Sequence, residues 1–233
     1  YEMRTCLVGS EMCIRDSGIA GQIANSEQEV LLLDIPGKTP NSITEDAVKK
    51  LIRSDPPALM HKNKANLIKV GNIRDDFNKL ANCDLIIEAV VERLDIKKDL
   101  YNRINNIVNS KCVITSNTST IPIKLLVEDM PQSFRERFAI THYFNPVRFM
   151  RLLELVRGEH TKSEIIKKLA DYNDRILGKG VVACNDTPGF LGNRVGVYAL
   201  QVGMDEAYKL NLTVEEADSL MGRPMGIPKT GIF

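Results

Sequence analysis

Short, almost continuous aliphatic runs alternate with amphipathic segments along most of the chain. Each run has the length and composition of a strand buried on both faces of a parallel sheet. These runs are residues 29–35, 84–90, 113–116, 137–142, 151–156 and 179–184. Helical spacing of apolar residues predicts the intervening helices, at about 43–82, 94–108, 123–129 and 163–177. This alternation predicts a doubly wound α/β sheet.

The pattern changes at Asp186, where the turn DTPGF begins. Beyond it the chain reads as helical, with one long apolar-striped helix over 193–209 and a shorter one over 214–221. We therefore predict two domains, 1–186 and 187–233. Because two helices cannot bury a core of their own size, we expect the second domain to be truncated or completed by another chain.

The first sixteen residues have no clean period. Helical spacing begins only at Ser17, and the segment Cys6–Ser10 is too mixed in character to suggest a buried strand. We therefore expect no sheet strand before the first helix.

Composition and charge exclude several classes of protein. The 233 residues include 43% hydrophobic and 26% charged residues, as in ordinary soluble domains, and the net charge of +1 gives no electrostatic argument for nucleic acid or an anionic membrane. No apolar run approaches the roughly 18–20 residues of a membrane span. The five cysteines are odd in number and lack CxxC spacing, which indicates reduced thiols in a cytoplasmic protein and no metal site.

Candidate chemistry centres on His142 and Glu154. Glu154 lies within the apolar run Leu152–Val156, where an unpaired carboxylate is costly to bury. Histidine is the side chain that most readily exchanges a proton near neutral pH, so the two residues together would form an imidazole base held by a carboxylate. Taken alone, His142 could also be a core histidine whose ring bonds the backbone.

Polar residues also lie at or near the ends of several predicted strands: Asp34, Glu88, Ser119 and His142. Ligands of doubly wound sheets bind beyond the carboxyl ends of the strands, so these side chains predict a site at that edge.

Seven motifs in order carry a family resemblance: LLLDI (31–35), EAVVERLDIKK (88–98), SNTST (116–120), HYFNPV (142–147), LLELV (152–156), DTPGFLGNR (186–194) and PMGIP (224–228). Together they resemble the 3-hydroxyacyl-CoA dehydrogenase family of fatty-acid β-oxidation. The resemblance implies a Rossmann-like NAD-binding domain followed by a helical domain. It also implies oxidation of (3S)-3-hydroxyacyl-CoA to 3-ketoacyl-CoA.

The resemblance assigns roles to five residues of the reaction site. His142 would be the base and Glu154 its orienting partner, while Ser119 and Asn193 would contact the reacting hydroxyl or thioester end. Asn145 would line the pocket, and both Ser119 and Asn145 would also lie near the cofactor. Ser119 could instead be an ordinary turn serine, and Asn193 a residue near the start of a helix.

The resemblance also implies cofactor contacts from Asp34, Glu92 and Lys97. Asp34 would bind the ribose hydroxyls of the adenosine, and its charge would repel the 2′-phosphate of NADP, so NAD is the expected cofactor. Asp34 could otherwise be a simple residue of the turn that follows a strand.

The glycine-rich loop of the family is missing. Its three glycine positions fall on Glu11, Cys13 and Asp16, although the loop needs small residues so that the backbone can approach the pyrophosphate. The string CLVGSEMCIRDS resembles translated sequencing-adapter sequence. We therefore expect residues 1–16 to be an artefact that replaces the natural start, and this chain to bind NAD poorly.

Two rival functions remain open. One is a related enzyme acting on short-chain 3-hydroxybutyryl-CoA or on a non-CoA hydroxy acid, and the other is a catalytically silent relative with a disrupted cofactor loop. The basic residues Lys49, Lys50, Arg53, His61, Lys62 and Lys64 could bind the phosphates of coenzyme A or form a solvated helix face. We also expect a homodimer through the helical domain and a possible fusion to an enoyl-CoA hydratase module.

Overall fold

The structure is a computed structural model that describes residues 3–9, 14–226 and 231–233, without the side chains of residues 14–16. It separates into two compact units, one ending at Pro188 and the other beginning at Gly189.

One eight-stranded sheet forms the frame of the first unit within the described residues. Its spatial order is β3-β2-β1-β4-β5-β6-β7-β8. The strands are β1 Thr5–Gly9, β2 Val30–Asp34, β3 Ile68–Asn72, β4 Leu85–Ala89, β5 Val113–Ser116, β6 Phe138–Tyr143, β7 Leu152–Arg157 and β8 Gly180–Cys184. Strands β1 to β6 are mutually parallel, whereas β7 runs antiparallel to β6 and parallel to β8.

Helices follow most of the strands and cover the sheet. In this unit they are α1 Ile14–Asn25, α2 Ser42–Arg53, α3 Leu94–Asn105, α4 Ile123–Leu126, α5 Gln132–Arg135 and α6 Ser163–Asp171. Short 3₁₀ turns occupy Lys62–Leu67 and Phe77–Asn82, and a π-helical turn at Tyr172–Ile176 extends α6. The predicted doubly wound, Rossmann-like α/β fold is confirmed, because parallel strands alternate with helices packed on their aliphatic side chains.

Two predictions about strands are wrong. The segment Thr5–Gly9, expected to form no strand, is the fully buried strand β1 between β2 and β4. Its mixed composition is tolerated because neighbouring strands supply hydrogen bonds on both sides. The region 43–82, expected to be helical throughout, contains the edge strand β3, whose Lys69 and Gly71 interrupt the aliphatic pattern used to recognise strands.

The expectation that all cysteines are reduced is also wrong. Cys6 of β1 and Cys83, which precedes β4, form a disulfide with their Cα atoms 6.1 Å apart. They are separated by 77 residues in sequence, and only the parallel pairing of β1 with β4 brings them together. Cys112 and Cys184 are free thiols, and Cys13 lies outside the described residues.

The second unit contains α7 Gly192–Lys209, α8 Val214–Met221 and a 3₁₀ turn at Arg223–Met225. Thr213 starts α8 with a capping box, in which its hydroxyl accepts from Glu216 N and its own N–H donates to the Glu216 carboxylate. The two helices approach closely at Gly203, where an added Cβ would lie 3.0 Å from Met221 Cε. Among the described residues, no helix has both the length and the apolar character needed to span a membrane.

Candidate active site

The histidine and the carboxylate singled out from the sequence face one another across two strands. The antiparallel register of β6 and β7 pairs His142 directly with Glu154. Directly opposed residues project to the same face of a sheet, and His142 Nδ1 lies 2.6 Å from Glu154 Oε2. The two residues are 3% and 0% exposed, so water hardly screens their interaction. The expected contact between them is present.

This contact determines which nitrogen of the ring can take up a proton. With Glu154 accepting from Nδ1–H, the neutral imidazole carries its lone pair on Nε2. A proton taken by Nε2 would create an imidazolium beside a carboxylate, and the buried negative charge would stabilise it. The Phe144 ring lies with its centroid 4.6 Å from that of His142 and limits the positions the imidazole can take. The pair has the geometry of an oriented general base.

Ser119 lies in the turn Ser116–Thr120 that follows β5. The carboxylate of Glu92 holds this turn: one oxygen accepts from Ser119 N at 3.2 Å, from Thr120 N at 3.3 Å and from the Thr120 hydroxyl at 2.8 Å. The Thr118 hydroxyl donates to the same oxygen. Burial alone would raise the pKa of Glu92, but these hydrogen bonds and the charge of Lys97 together hold the pKa below its usual value.

Lys97 projects into the interior and is 1% exposed. Its Nζ donates to Glu88 Oε1 at 2.7 Å and to the Val90 carbonyl at 3.2 Å, and it lies 3.5 Å from Glu92 Oε2. Glu92 and Lys97, both expected near the cofactor, therefore belong to one internal network. Their contact with a cofactor stays a prediction.

Asp34 ends β2 at the carboxyl edge of the sheet and is 5% exposed. Its Oδ1 accepts from Ile35 N at 2.7 Å, which fixes the carboxylate at the strand end. Helix α1 begins at Ile14, after β1, so a helix N-terminus opens at the same edge. Of the three missing glycine positions, Glu11 and Cys13 lie outside the described residues, and Asp16 lies in α1 without a described side chain.

Asn145 lines a groove of about 690 Å³ between the segment 145–149, the start of α1 and helix α2. The groove wall is largely apolar, with Leu51, Pro146 and Val147 among its residues. Four basic side chains also line it: Lys49, Lys50, Arg53 and Arg148. The volume lies within the range of small-molecule and cofactor sites, and the mixture suits a ligand with apolar and anionic parts.

The segment 145–150 is fixed by two cations that the sequence alone does not mark. Lys179, 2% exposed, donates from Nζ to the carbonyls of Val147 and Met150, the latter at 3.1 Å. Arg148 donates to the carbonyl of Pro57 at 2.6 Å. Burial lowers the pKa of Lys179 to about 8. The segment that carries Asn145 is therefore held at three positions: the carbonyls of Val147 and Met150 and the side chain of Arg148.

Asn193 is the second residue of α7 and belongs to the second unit, whereas the other predicted site residues belong to the first. The sequence reasoning missed the hydrogen-bonding role of Glu88, although its signal was visible. Glu88 is a carboxylate inside the apolar run DLIIEAV, the same pattern that drew attention to Glu154.

In the part of the chain that is described, no group of three potential ligands could hold a metal ion.

Residues 15–187 match the family model described as "3-hydroxyacyl-CoA dehydrogenase, NAD binding domain". The chain belongs to this family. The expected 3-hydroxyacyl-CoA dehydrogenase resemblance is thus confirmed over most of the first unit.

Three similar proteins illustrate the relationship. A putative fatty acid oxidation complex trifunctional enzyme of Rickettsia felis is 42% identical over 233 residues, which cover 99% of this chain and 32% of that protein. A probable 3-hydroxyacyl-CoA dehydrogenase of Deinococcus radiodurans is 38% identical, over 94% of this chain and 64% of that protein. The crystal structure of (S)-3-hydroxybutyryl-CoA dehydrogenase from Ralstonia eutropha superposes with a TM-score of 0.80 at 26% identity, over 97% of this chain and 79% of that one. The chain thus spans about a third of the length of the Rickettsia relative.

Proposed function

We propose that this chain carries the NAD-binding and proton-accepting half of an enzyme that oxidises (3S)-3-hydroxyacyl-CoA to 3-ketoacyl-CoA. The observation that carries the proposal is the 2.6 Å contact between His142 Nδ1 and Glu154 Oε2 at the carboxyl edge of the sheet. Alcohol oxidation needs a proton acceptor, and a buried imidazole held by a carboxylate is suited to that task. The family match supplies the substrate class.

The residues present fit NAD on its adenosine side. Asp34 presents a carboxylate at the end of β2, the chemistry expected to bind ribose hydroxyls, and the N-terminus of α1 opens at the same edge. Bound NAD would accept the hydride from C3 of the substrate. The pyrophosphate side departs from the family, because Glu11 and Asp16 stand where small residues would let the backbone approach.

In this mechanism the protein moves one proton. Nε2 of His142 accepts the substrate hydroxyl proton, and Glu154 stabilises the imidazolium through Nδ1–H. Ser119 and Asn193 would contact the reacting hydroxyl or the thioester end. Asn145 would contact ligand from the wall of the groove. The burial of His142 and Glu154 excludes bulk water from the proton acceptor.

The groove supports coenzyme A as the carrier of the acyl group. Its apolar lining suits the pantetheine arm, and its basic residues suit the phosphates. Of the basic residues considered for coenzyme A, Lys49, Lys50 and Arg53 line this groove, but Lys49 pairs with Asp46 at 2.9 Å, so Lys50 and Arg53 carry the ligand-binding interpretation. Lys64 instead pairs with Glu27.

The proposal extends to partners. Helix α7 exposes Val195, Tyr198 and Val202 at helical spacing, an apolar stripe suited to a homodimer contact through the helical unit. The Rickettsia relative is named a trifunctional enzyme of a fatty acid oxidation complex, and the proposal includes fusion of this chain to an enoyl-CoA hydratase module. We also propose the cytoplasm as the compartment, now without support from the cysteines, because two of them form a disulfide.

A direct experiment follows NADH formation from acyl-CoA substrates of increasing chain length. It uses this chain and a variant with Glu11→Gly, Cys13→Gly and Asp16→Gly. We expect the glycine variant to bind NAD and to turn over 3-hydroxyacyl-CoA. Turnover of the four-carbon substrate alone would favour the 3-hydroxybutyryl-CoA enzyme. Absence of turnover despite restored NAD binding would favour the silent relative and contradict the proposal.

A further inference from the structure

Glu88 is a fully buried carboxylate to which the proposed mechanism gives no role. It is 0% exposed in β4, and its two oxygens receive four hydrogen bonds. Oε1 accepts from Val90 N at 2.6 Å and from Lys97 Nζ at 2.7 Å, while Oε2 accepts from the Tyr101 hydroxyl at 2.5 Å and the Ser116 hydroxyl at 2.7 Å. A carboxylate is stable at such a depth only when its oxygens are satisfied in this way.

One connection runs from Glu88 to the turn Ser116–Thr120 through Ser116. The Ser116 hydroxyl donates its proton to Glu88 Oε2 and accepts from Thr118 N at 3.2 Å. The main-chain carbonyl of Glu88 also accepts from Asn117 N at 2.7 Å. The first three residues of the turn are therefore tied to this single glutamate.

A second connection runs through Lys97 and Glu92. Lys97 Nζ binds Glu88 and lies 3.5 Å from Glu92 Oε2, so the two carboxylates share one buried cation. The other oxygen of Glu92 accepts the hydrogen bonds of the backbone at Ser119 and Thr120. Without Glu88, the Lys97 ammonium would lose its shortest hydrogen bond, and its own position would be less well fixed. Glu92 would then be held by its bonds to the turn without a fixed cation on its other oxygen.

The turn also contacts the strand of the proton acceptor, through Asn117. Asn117 Oδ1 accepts from Tyr143 N at 2.9 Å, and Tyr143 directly follows His142. The turn that carries Ser119 is thereby linked to the backbone of β6 at the residue next to the base. A displacement of the turn would change the distance between Ser119 and His142.

We propose that Glu88 is a positioning residue that fixes the turn Ser116–Thr120, and with it Ser119, relative to the His142–Glu154 pair. This inference rests on the proposed function. Two independent connections, one through Ser116 and one through Lys97 and Glu92, converge on the same turn. Misplacement of a reacting group by about 1 Å lowers turnover by roughly 100-fold, which is the scale of the expected effect.

The test compares Glu88→Gln with the control Tyr101→Phe in the full chain carrying the restored glycines. Tyr101 donates to the same carboxylate and its hydroxyl also interacts with Ser116, but among the described residues it bonds neither Glu92 nor the backbone of Thr118–Thr120. Its loss should therefore perturb the core while Ser116 and Glu92 still hold the turn. We expect Glu88→Gln to lower kcat by about 10–100-fold with little change in the KM for acyl-CoA. Tyr101→Phe should keep kcat near the parent value even where its melting temperature falls.

Hydrogen exchange of the Thr118–Thr120 amides gives a second measurement that needs no activity. It should accelerate at least tenfold in Glu88→Gln and in Ser116→Ala, and not in Tyr101→Phe. Unchanged exchange in the folded Glu88→Gln protein, or equal losses of kcat in the glutamine and phenylalanine variants, would overturn the inference. If Glu88→Gln does not fold, Ser116→Ala decides, and parent-like exchange in that variant overturns it. If the parent itself has no dehydrogenase activity, faster exchange still supports the positioning role while the proposed function fails.

Discussion

Replacement of Glu154 by glutamine removes the negative charge beside the proposed base, His142, and leaves the size and shape of the side chain almost unchanged. The carboxylate accepts from His142 Nδ1 at 2.6 Å and is 0% exposed, so it acts on the imidazolium with little screening by water. A hydrogen bond to a charged group is worth about 1.5–3 kcal/mol, which corresponds to about 10–150-fold in rate.

A second effect adds to the lost charge. The glutamine amide can donate to Nδ1, which would move the ring proton to Nε2 and leave no lone pair facing the substrate. The same tautomer change in a serine-protease triad costs about 10⁴-fold in kcat. We therefore expect Glu154→Gln to lower kcat by about 10²–10⁴-fold, with NADH affinity and melting temperature close to the parent.

The assay is the single-turnover rate of NADH formation from 3-hydroxyacyl-CoA in the glycine-restored chain. NADH titration and a thermal melt of the same preparation show whether the cofactor site and the fold are intact. A folded, NADH-binding Glu154→Gln protein that turns over within threefold of the parent would refute the proposed role of the carboxylate.

Further substitutions test other parts of the account. Burial lowers the pKa of Lys179 from 10.5 to about 8, so between these values the unfolded chain holds a proton that the folded chain has lost. The free energy of unfolding of the parent, measured relative to Lys179→Met by urea denaturation, should therefore rise by about 3 kcal/mol as the pH increases through this window; a flat difference would contradict the burial effect. Asp34→Ala should weaken NAD binding and lower the preference for NAD over NADP, measured as the ratio of kcat/KM values, by about tenfold or more. An unchanged preference would show that Asp34 does not bind the ribose.

The fold could be predicted from the sequence because most buried parallel strands are continuous aliphatic runs. Residues 113–116 and 214–221 form β5 and α8 with the expected bounds. The hydrophobic pattern did not predict two strands whose formation depends on pairing with neighbouring strands. Strand β1 is stabilised by pairing on both sides, and β3 by pairing on one side, so neither needs a strong local signal.

Part of the site could also be predicted from the apolar runs. A lone carboxylate in an apolar strand requires a partner, and this argument led from Glu154 to His142. Applied to Glu88, it would have required a cation but could not have identified Lys97, which is nine residues away on α3. The cations that hold the 145–150 segment donate to backbone carbonyls, and carbonyls leave no trace in the sequence. The Cys6–Cys83 disulfide likewise depends on strand order alone.

The most direct test of the central idea is the rate of hydride transfer in the glycine-restored chain after His142→Gln. Glutamine is polar and of similar bulk but cannot accept the proton from an alcohol. If His142 Nε2 is the proton acceptor, single-turnover NADH formation should fall by about 10²–10⁴-fold while binding of NADH and acyl-CoA persists. A folded variant that forms NADH at a rate near that of the parent would show that the buried pair is not the base.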